Sequence, residues 1–175
     1  MRQYDENYKV IYNWFMKPNS KRFAVLKVFY KLFPILSALI YIGLIFYCVS
    51  LSESFNLIFE NQILMRVVIV PFVTFAAVTV MRKFIDAKRP YIKYNYIPLI
   101  DKEKTGESFP SRHTLSAAII AMACLYVNIY LGVIAWIIAV IVGATRYIGG
   151  VHFFKDVIFG ILIAILCGVI GFGVI

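Results

Sequence analysis

Histidine is the side chain best suited to nucleophilic or acid–base work near neutral pH, and this chain has two, His113 and His152. His152 stands four residues before Asp156, so a helix through both would place the imidazole and the carboxylate on one face. A carboxylate bound to one ring nitrogen fixes the tautomer and leaves the lone pair of the other nitrogen free. Such an imidazole can attack phosphorus. His152 and Asp156 are therefore a candidate nucleophile and its orienting partner.

Arginine is the second residue type that points to phosphate chemistry. Four arginines flank the histidines or open the polar segment that precedes His113: Arg82, Arg89, Arg112 and Arg146. A guanidinium binds phosphate oxygens through two parallel hydrogen bonds, and four such cations brought together repel each other unless an anion lies among them. A phosphate or diphosphate group is the natural occupant. Arg146 could also neutralise charge that gathers on the phosphoryl oxygens during transfer.

Residues 109–113 read Phe-Pro-Ser-Arg-His and lead into a long apolar run. Ser111 is a predicted N-cap, and backbone N–H groups at such a helix start bind anions. His113 then lies in the first helical turn, where it could give a proton to a departing oxygen. This stretch therefore supplies a phosphate cradle and a candidate general acid.

The composition places this chemistry in a membrane. The chain of 175 residues is 62% hydrophobic and only 15% charged, and its mean hydropathy is +0.82, whereas about a quarter of the residues in a soluble protein are charged. The net charge of +9 favours anionic lipid or a phosphate-bearing substrate over nucleic acid, for which no recognition module is visible. Two histidines without a second carboxylate cluster make a poor metal site, so neither a metal nor another cofactor is predicted.

Apolar runs long enough to cross a bilayer, about 20 residues each, are the elements that must position these groups. The runs are 32–52, 63–81, 114–145 and 157–175. The third run has 32 uncharged residues, which suits a hairpin of two helices that turns near 128–132. The sequence therefore predicts an all-α polytopic membrane helix bundle of about five transmembrane helices. Its parts are a basic amphipathic N-terminal segment with an interfacial helix, 1–31, and a transmembrane domain, 32–175, whose active-site loop is 82–112.

The alternation of five spans brings the reactive groups to one membrane face. The ends of the second and fourth spans share that face with the starts of the third and fifth. Each arm of the hairpin rises roughly 25 Å, so His113 and Arg146 return to the same level. Six polar groups from four helices are thereby expected to converge: Arg82, Arg89, His113, Arg146, His152 and Asp156.

Three stretches resemble, in order and in spacing, the motifs of one family. They are Arg82, six residues and Arg89-Pro90; then Pro110-Ser111-Arg112-His113; then Thr145-Arg146, five residues, His152, three residues and Asp156. The phosphatidic acid phosphatase type 2 and haloperoxidase superfamily has Lys-x6-Arg-Pro, Pro-Ser-Gly-His and Ser-Arg-x5-His-x3-Asp at these places. The resemblance runs from about residue 60 to the C-terminus.

Three substitutions depart from the family pattern. Arg82 replaces a lysine and keeps the charge, although Lys83 next to it could fill the same role. Arg112 replaces a glycine and adds a cation, and Thr145 replaces a serine and keeps the hydroxyl. No group that the chemistry needs is lost, so we expect activity.

The resemblance implies an integral membrane lipid phosphatase of the cell membrane that needs no metal and works through a phosphohistidine. His152 would attack phosphorus, Asp156 would orient it, and His113 would protonate the leaving oxygen and later activate water. The phosphoryl group would be held by Arg82, Arg89, Ser111, Arg112, His113 and Arg146. Family substrates include phosphatidic acid, phosphatidylglycerophosphate and undecaprenyl diphosphate, so the expected partners are a lipid phosphate and the phospholipid bilayer.

Two other functions stay open at this point. A non-catalytic lipid-binding or transport protein could keep the pocket, although intact His113, His152 and Asp156 argue against it. A vanadate-dependent peroxidase shares the pocket but does not suit five short spans.

The membrane side of the pocket also has two interpretations. Of the 18 basic residues, seven lie in 1–31, eight in 82–112 and two near the third motif, which makes 17 on one predicted side. The positive-inside rule makes that side cytoplasmic, whereas family members generally place the pocket on the extracytoplasmic face. A cytoplasmic pocket favours phosphatidylglycerophosphate, and an outer pocket favours undecaprenyl diphosphate.

Overall fold

A computed structural model of the chain describes residues 3–17, 21–51 and 61–173. The last residue of the first predicted span and the last two of the final span lie outside these ranges. The described residues form seven helices: α1 Gln3–Phe15, α2 Arg22–Ser50, α3 Gln62–Ile85, α4 Pro90–Tyr94, α5 Arg112–Val127, α6 Ile129–Ile148 and α7 Phe154–Phe172. No strand is present in these ranges.

The helices are those of a polytopic membrane protein. Four stretches are long and apolar enough to cross a bilayer: α2, the stretch Gln62–Tyr94 that contains α3, α6 and α7. Large apolar side chains such as Phe46, Phe72 and Ile170 are about 70% exposed, as expected for surfaces that face lipid tails. The predicted all-α polytopic membrane bundle is confirmed.

The remaining apolar helix, α5, is shorter than the others and lies at the centre of the bundle. Its 16 residues rise roughly 24 Å, and it packs against α2, α3, α6 and α7. Ser108, Pro110 and Ser111, which lead into it, are fully buried. Non-helical backbone is tolerated at membrane depth when protein surrounds it. The buried approach therefore supplies the length that α5 lacks.

The predicted hairpin turns at a single residue, Asn128. It ends α5 with its backbone N–H bonded to the Cys124 carbonyl and begins α6, where its side chain accepts from Leu131 N at 3.0 Å. One asparagine in extended conformation thus satisfies groups at both helix ends. The turn predicted near 128–132 is confirmed.

Small residues let the helices approach closely where the site is built. A Cβ at Gly160 of α7 would lie 3.0 Å from the Ser111 carbonyl oxygen, so only glycine allows this contact without displacement. Alanines on α5, including Ala117, Ala118 and Ala121, are buried in the same core. Packing through small side chains is the main way that membrane helices associate. It holds the start of α5 against the start of α7.

Two predicted boundaries differ from the helices. The division placed at residue 31 falls inside α2, and α3 continues beyond residue 81 to Ile85, so Arg82 is helical. Hydropathy marks where a helix leaves the hydrocarbon, but backbone hydrogen bonding carries the helix on until a residue stops it. For α3 that residue is Asp86, which adopts a left-handed conformation with φ of 38°.

Candidate functional site

The predicted site residues surround one cavity of about 410 Å³. Both histidines line it, together with three of the four predicted arginines, and the segment 101–104 closes another part of the wall. The lining residues are Tyr30, Arg82, Arg89, Asp101, Lys102, Glu103, Lys104, Arg112, His113 and His152. Ser111, Arg146 and Asp156 lie behind these residues, buried in the protein. The predicted convergence of distant helices on one point is thus seen.

One carboxylate oxygen of Asp156, Oδ2, makes the contacts with Ser108, Phe153 and His152. Its Oδ2 accepts a hydrogen bond from Ser108 Oγ at 2.6 Å and another from Phe153 N at 3.0 Å. His152 Nδ1 lies 3.5 Å from the same oxygen. This is within ion-pair distance but long for a hydrogen bond. Catalytic contacts of this kind commonly tighten when substrate binds.

His152 and Asp156 come together in a different way from the predicted shared helix face. His152 precedes α7, which begins at Phe154, so the two residues are not on one helix. Asp156 is in the first turn and reaches back to the amide of the N-cap residue Phe153, as a capping box does. This backward reach brings the carboxylate beside the imidazole. The spacing predicted the contact correctly and its local structure wrongly.

The environment keeps the His152 imidazole neutral. Burial lowers its pKa from the ordinary value of 6.5. The contact with Asp156 acts in the opposite direction, and the charge of Arg89 lowers the pKa further. The neutral ring has one lone pair. With Nδ1 beside Asp156, the nitrogen available to an electrophile in the cavity is Nε2.

Arg82 and Arg89 hold the loop as well as lining the cavity. The two terminal nitrogens of Arg82 donate to the carbonyl oxygens of Pro110 and Glu107. Arg89 donates from Nε to the Gly106 carbonyl at 3.1 Å and from Nη1 to the Val151 carbonyl at 3.2 Å. Both guanidiniums are buried. Each therefore places a guanidinium at the cavity and fixes backbone that surrounds it.

The first-motif cation is placed by geometry. Arg82 lines the cavity, whereas its neighbour Lys83 is exposed and is not among the lining residues. On a helix, consecutive side chains point about 100° apart. Only Arg82 has the direction that the site needs.

The second motif enters the cavity from the start of α5. Arg112 and His113 line the cavity, and the Arg112 guanidinium lies 5.6 Å from the centre of the Phe75 ring. Ser111 is the N-cap residue by position, but its hydroxyl contacts Thr114 Oγ1 at 2.9 Å instead of capping the helix. Its backbone N–H donates to the Asp156 carbonyl at 2.9 Å. The predicted cap position is correct, and the predicted side-chain cap is absent.

Arg146 is held by a residue outside the motifs, Tyr30 of α2. The guanidinium carbon lies 3.6 Å from the centre of the Tyr30 ring, and Nη2 donates to the Tyr30 carbonyl at 3.2 Å. Cation–π contact and burial fix the arginine beside the cavity that Tyr30 lines. Because neither motif spacing nor hydropathy marks Tyr30, the sequence offered no signal for it.

Ser108 and Lys102 were also missed. Ser108 is fully buried and holds Asp156, yet nothing separates it from other loop serines in the sequence. Lys102 lines the cavity, where burial lowers its pKa and the cations Arg146 and Arg89 lower it further. It is therefore an additional positive group near the predicted phosphate position.

The N-terminal helix packs onto the active-site loop through Tyr8. The Tyr8 hydroxyl accepts a hydrogen bond from Leu99 N at 2.8 Å, and its ring stacks on Tyr96 at 4.3 Å between centres. Tyr96 in turn donates to the Gly150 carbonyl at 3.0 Å. Gly150 has φ of 74°, and a Cβ there would lie 2.3 Å from the Tyr8 hydroxyl oxygen. Tyr8 thus joins α1 to the loop and to the turn before His152.

No group of three or more His, Cys, Asp or Glu side chains that could hold a metal ion occurs within the described residues. The cavity and the residues behind it supply guanidiniums, imidazoles, hydroxyls and the buried Asp156 carboxylate, and the segment 101–104 adds two exposed carboxylates and two exposed ammonium groups. Guanidiniums suit the binding of an anion, and an imidazole beside a carboxylate is a candidate nucleophile.

The fold and the cavity together define a class: a membrane helix bundle with two histidines and a ring of arginines at one end. Residues 61–175 match the model of the PAP2 superfamily. The chain belongs to that family, as the three motifs indicated.

Two solved structures share the fold. The crystal structure of Aquifex aeolicus LpxE is 24% identical, the match covers 99% of this chain and 96% of that chain, and the TM-score is 0.71. The first transmembrane PAP2 type phosphatidylglycerolphosphate phosphatase from Bacillus subtilis is 20% identical, with coverage of 97% and 84% and a TM-score of 0.61. At these identities the likeness establishes the fold alone. Comparison with curated proteins finds no match.

Proposed function

We propose that this protein is a lipid phosphatase of the cell membrane that hydrolyses a lipid phosphomonoester or the terminal bond of a lipid diphosphate. One observation carries the proposal. His152 has its Nδ1 against a buried carboxylate and lies in a cavity that also contains His113 and three arginines. Membership of the PAP2 superfamily supports it.

The reaction would take place in two steps. In the first, His152 Nε2 forms a bond to phosphorus while the bond to the leaving oxygen breaks, and protonated His113 gives that oxygen a proton. Burial and the nearby Arg146 charge lower the pKa of His113 to about 3, so His113 would take up this proton when the negative charge of the bound phosphate offsets the neighbouring cations. In the second, His113 takes a proton from water, the water oxygen bonds to phosphorus, and the bond to His152 breaks. Inorganic phosphate is then released and both imidazoles are restored.

The surrounding groups would stabilise the transferring phosphoryl group. Arg89 and Arg112 line the cavity and Arg146 lies just behind it, so their charges can balance that on the three equatorial oxygens. Arg82 contributes charge and holds the backbone of the loop. The hydrogen bond from Ser111 N to the Asp156 carbonyl holds the start of α5, which carries Arg112 and His113, against the start of α7.

The substrate would be a lipid phosphate drawn from the bilayer. The candidates are phosphatidic acid, phosphatidylglycerophosphate and undecaprenyl diphosphate. The similarity to a phosphatidylglycerolphosphate phosphatase supports including the second of these. Phosphate release by the purified protein in detergent, measured on each lipid and on a soluble diphosphate, ranks them. A chelator should leave the rate unchanged because no step uses a metal.

Replacing the nucleophile tests the mechanism. His152→Ala should lower kcat by roughly 10⁴-fold or more, since members of such a catalytic unit fail together. With labelled substrate, the wild-type protein should give a phosphoenzyme that survives base and is lost in acid, and His152→Ala should give none. An unchanged rate would reject the assignment. Lipid binding by the wild-type protein without phosphate release would favour the non-catalytic alternative.

A further inference from the structure

A second concave surface lies between the end of α1, the first turns of α2 and the second half of α6. We name it the α2–α6 groove. Its volume is about 830 Å³, twice that of the catalytic cavity. The floor is apolar and consists of Val25, Leu26, Phe29, Ile141, Ala144 and Ile148. A groove of this volume and lining accepts a hydrocarbon chain.

The upper edge of the groove is basic. Lys17, Lys21 and Arg22 line it, all three are exposed, and no acidic side chain of the described chain does so. Trp14 lies beside them, with the Arg22 guanidinium 4.1 Å from its ring centre. Basic residues and tryptophan together are typical of the level at which lipid headgroups lie.

The length of α2 also indicates that the basic edge of the groove lies at the level of the lipid headgroups. Its 29 residues rise roughly 43 Å, while the hydrocarbon core is about 30 Å thick. The first turn, with Arg22, therefore extends into the headgroup region, and Val25, Leu26 and Phe29 lie below it. The groove descends from this region along α6 towards the hydrocarbon.

We propose that the α2–α6 groove binds an anionic glycerophospholipid of the bilayer. The lipid phosphate lies at Lys17, Lys21 and Arg22, and one acyl chain lies on the apolar floor. An anionic headgroup complements three cations without the opposing ammonium that a zwitterionic headgroup carries. The charge pattern therefore selects the headgroup, and the floor distinguishes a lipid from a free phosphate.

A lipid bound in the groove lies next to residues that support the catalytic cavity. Phe29 and Thr145 line the groove, and the residues that follow them, Tyr30 and Arg146, form the contact that holds the buried arginine. A lipid between α2 and α6 stabilises that pair of helices. Both α1 and α2 precede residue 61, where the family match begins, so two walls of the groove lie outside the matched region.

Fluorescence quenching by brominated lipid tests the proposal without any turnover. The chain has two tryptophans, and replacing Trp136 with Phe leaves Trp14 as the reporter in the groove. The protein is placed in vesicles of phosphatidylglycerol and phosphatidylcholine in equal amounts. Bromine is carried on the acyl chains of one lipid or of the other, so the surface charge never changes. Trp14 should be quenched more strongly when phosphatidylglycerol carries the bromine.

Paired lysine variants supply the control. Lys17→Gln with Lys21→Gln should lower the preference for phosphatidylglycerol at least about fivefold, because each lysine near the surface contributes to anionic lipid binding. Lys88→Gln with Lys93→Gln removes two exposed lysines that line a different cavity and should leave the preference unchanged. Arg22 is kept in every variant, so the environment of Trp14 is preserved.

Three results would overturn the proposal. Equal quenching by both lipids, whether strong or weak, would show no selection, and weak quenching by both would indicate that a second copy of the chain covers the groove. An undiminished preference in the Lys17 and Lys21 variant would remove the assigned headgroup contacts. Equal loss in the Lys88 and Lys93 control would assign the preference to total charge. Each outcome is read independently of phosphatase activity.

Discussion

At the scale of single residues, the site depends on one oxygen atom. Asp156 Oδ2 receives donors from Ser108 and Phe153 and faces His152. Two hydrogen bonds hold this buried carboxylate in one orientation. An acceptor oxygen held beside Nδ1 is what fixes the His152 tautomer. Ser108 is therefore a positioning residue, acting on the nucleophile through Asp156.

Removing the Ser108 hydroxyl should weaken catalysis without affecting substrate affinity. A hydrogen bond to a charged group contributes about 1.5–3 kcal/mol, so Ser108→Ala should lower kcat roughly tenfold to a hundredfold with little change in KM. Ser108→Thr, which keeps the hydroxyl, should recover part of the loss. Ser116→Ala on α5, outside the cavity, is the matched control. A proportional rise in KM would instead indicate a damaged binding site.

The pH dependence of the reaction should reveal the state of His152. Burial lowers its pKa below the ordinary 6.5, so the neutral nucleophile persists as pH falls and is lost only below that value. Asp156 acts in the opposite direction and raises the pKa. Asp156→Asn should therefore move the acid limb of kcat/KM to lower pH, in addition to lowering the rate roughly 10⁴-fold. An acid limb that moves to higher pH would contradict the assigned contact. Both proteins are measured with the same substrate, so the titration of the substrate phosphate cancels in the comparison.

At the scale of elements, the sequence predicted what depends on local pattern. Hydropathy located the membrane helices, uncharged length required a hairpin, and Asn128 is where it turns. Motif spacing identified His113, His152 and three arginines of the cavity. Tyr30 and Ser108 escaped prediction because their roles arise from distant contacts. Tyr30 contacts Arg146, 116 positions along the chain, and Ser108 contacts Asp156, 48 positions along the chain. Spacing within a motif contains no information about such partners.

In the N-terminal helix, a tertiary contact gives one residue a role that the sequence pattern does not indicate. The basic amphipathic segment 1–31 predicted an interfacial helix, and a helix is present at Gln3–Phe15. Tyr8, however, is 4% exposed and faces the loop, and burial raises its pKa to about 12. We infer that α1 positions the segment that carries Lys102 into the cavity.

Tyr8→Phe should loosen the loop without unfolding the protein. The variant keeps the stacking on Tyr96 and leaves the buried Leu99 N–H without its acceptor, which costs about 1–3 kcal/mol. Trypsin should then cleave after Lys102 or Lys104 roughly tenfold faster, and KM should rise more than kcat falls. Tyr12→Phe on the same helix is the control. Equal protection of both variants would show that the hydroxyl bond does not hold the loop.

At the scale of the whole molecule, charge and contact together constrain the topology. The N-terminal segment and the active-site loop contain 15 of the 18 basic residues, seven and eight respectively. The Tyr8 contact with Leu99 joins the two regions directly, so they lie on one membrane side. Both regions must therefore be assigned to the same side of the membrane. The positive-inside rule predicts the cytoplasmic side for both, whereas family members generally place the pocket on the extracytoplasmic face.

Cysteine labelling in whole cells tests this placement. Cys48, Cys124 and Cys167 are first replaced, and single cysteines are then introduced at the exposed positions Glu6 and Lys88. An impermeant reagent should label neither position in intact cells and both after lysis, because the basic face is cytoplasmic by this rule. Such a pocket would meet newly made phosphatidylglycerophosphate. Labelling of both in intact cells would place the pocket outside and favour undecaprenyl diphosphate, while labelling of only one would contradict the contact between α1 and the loop.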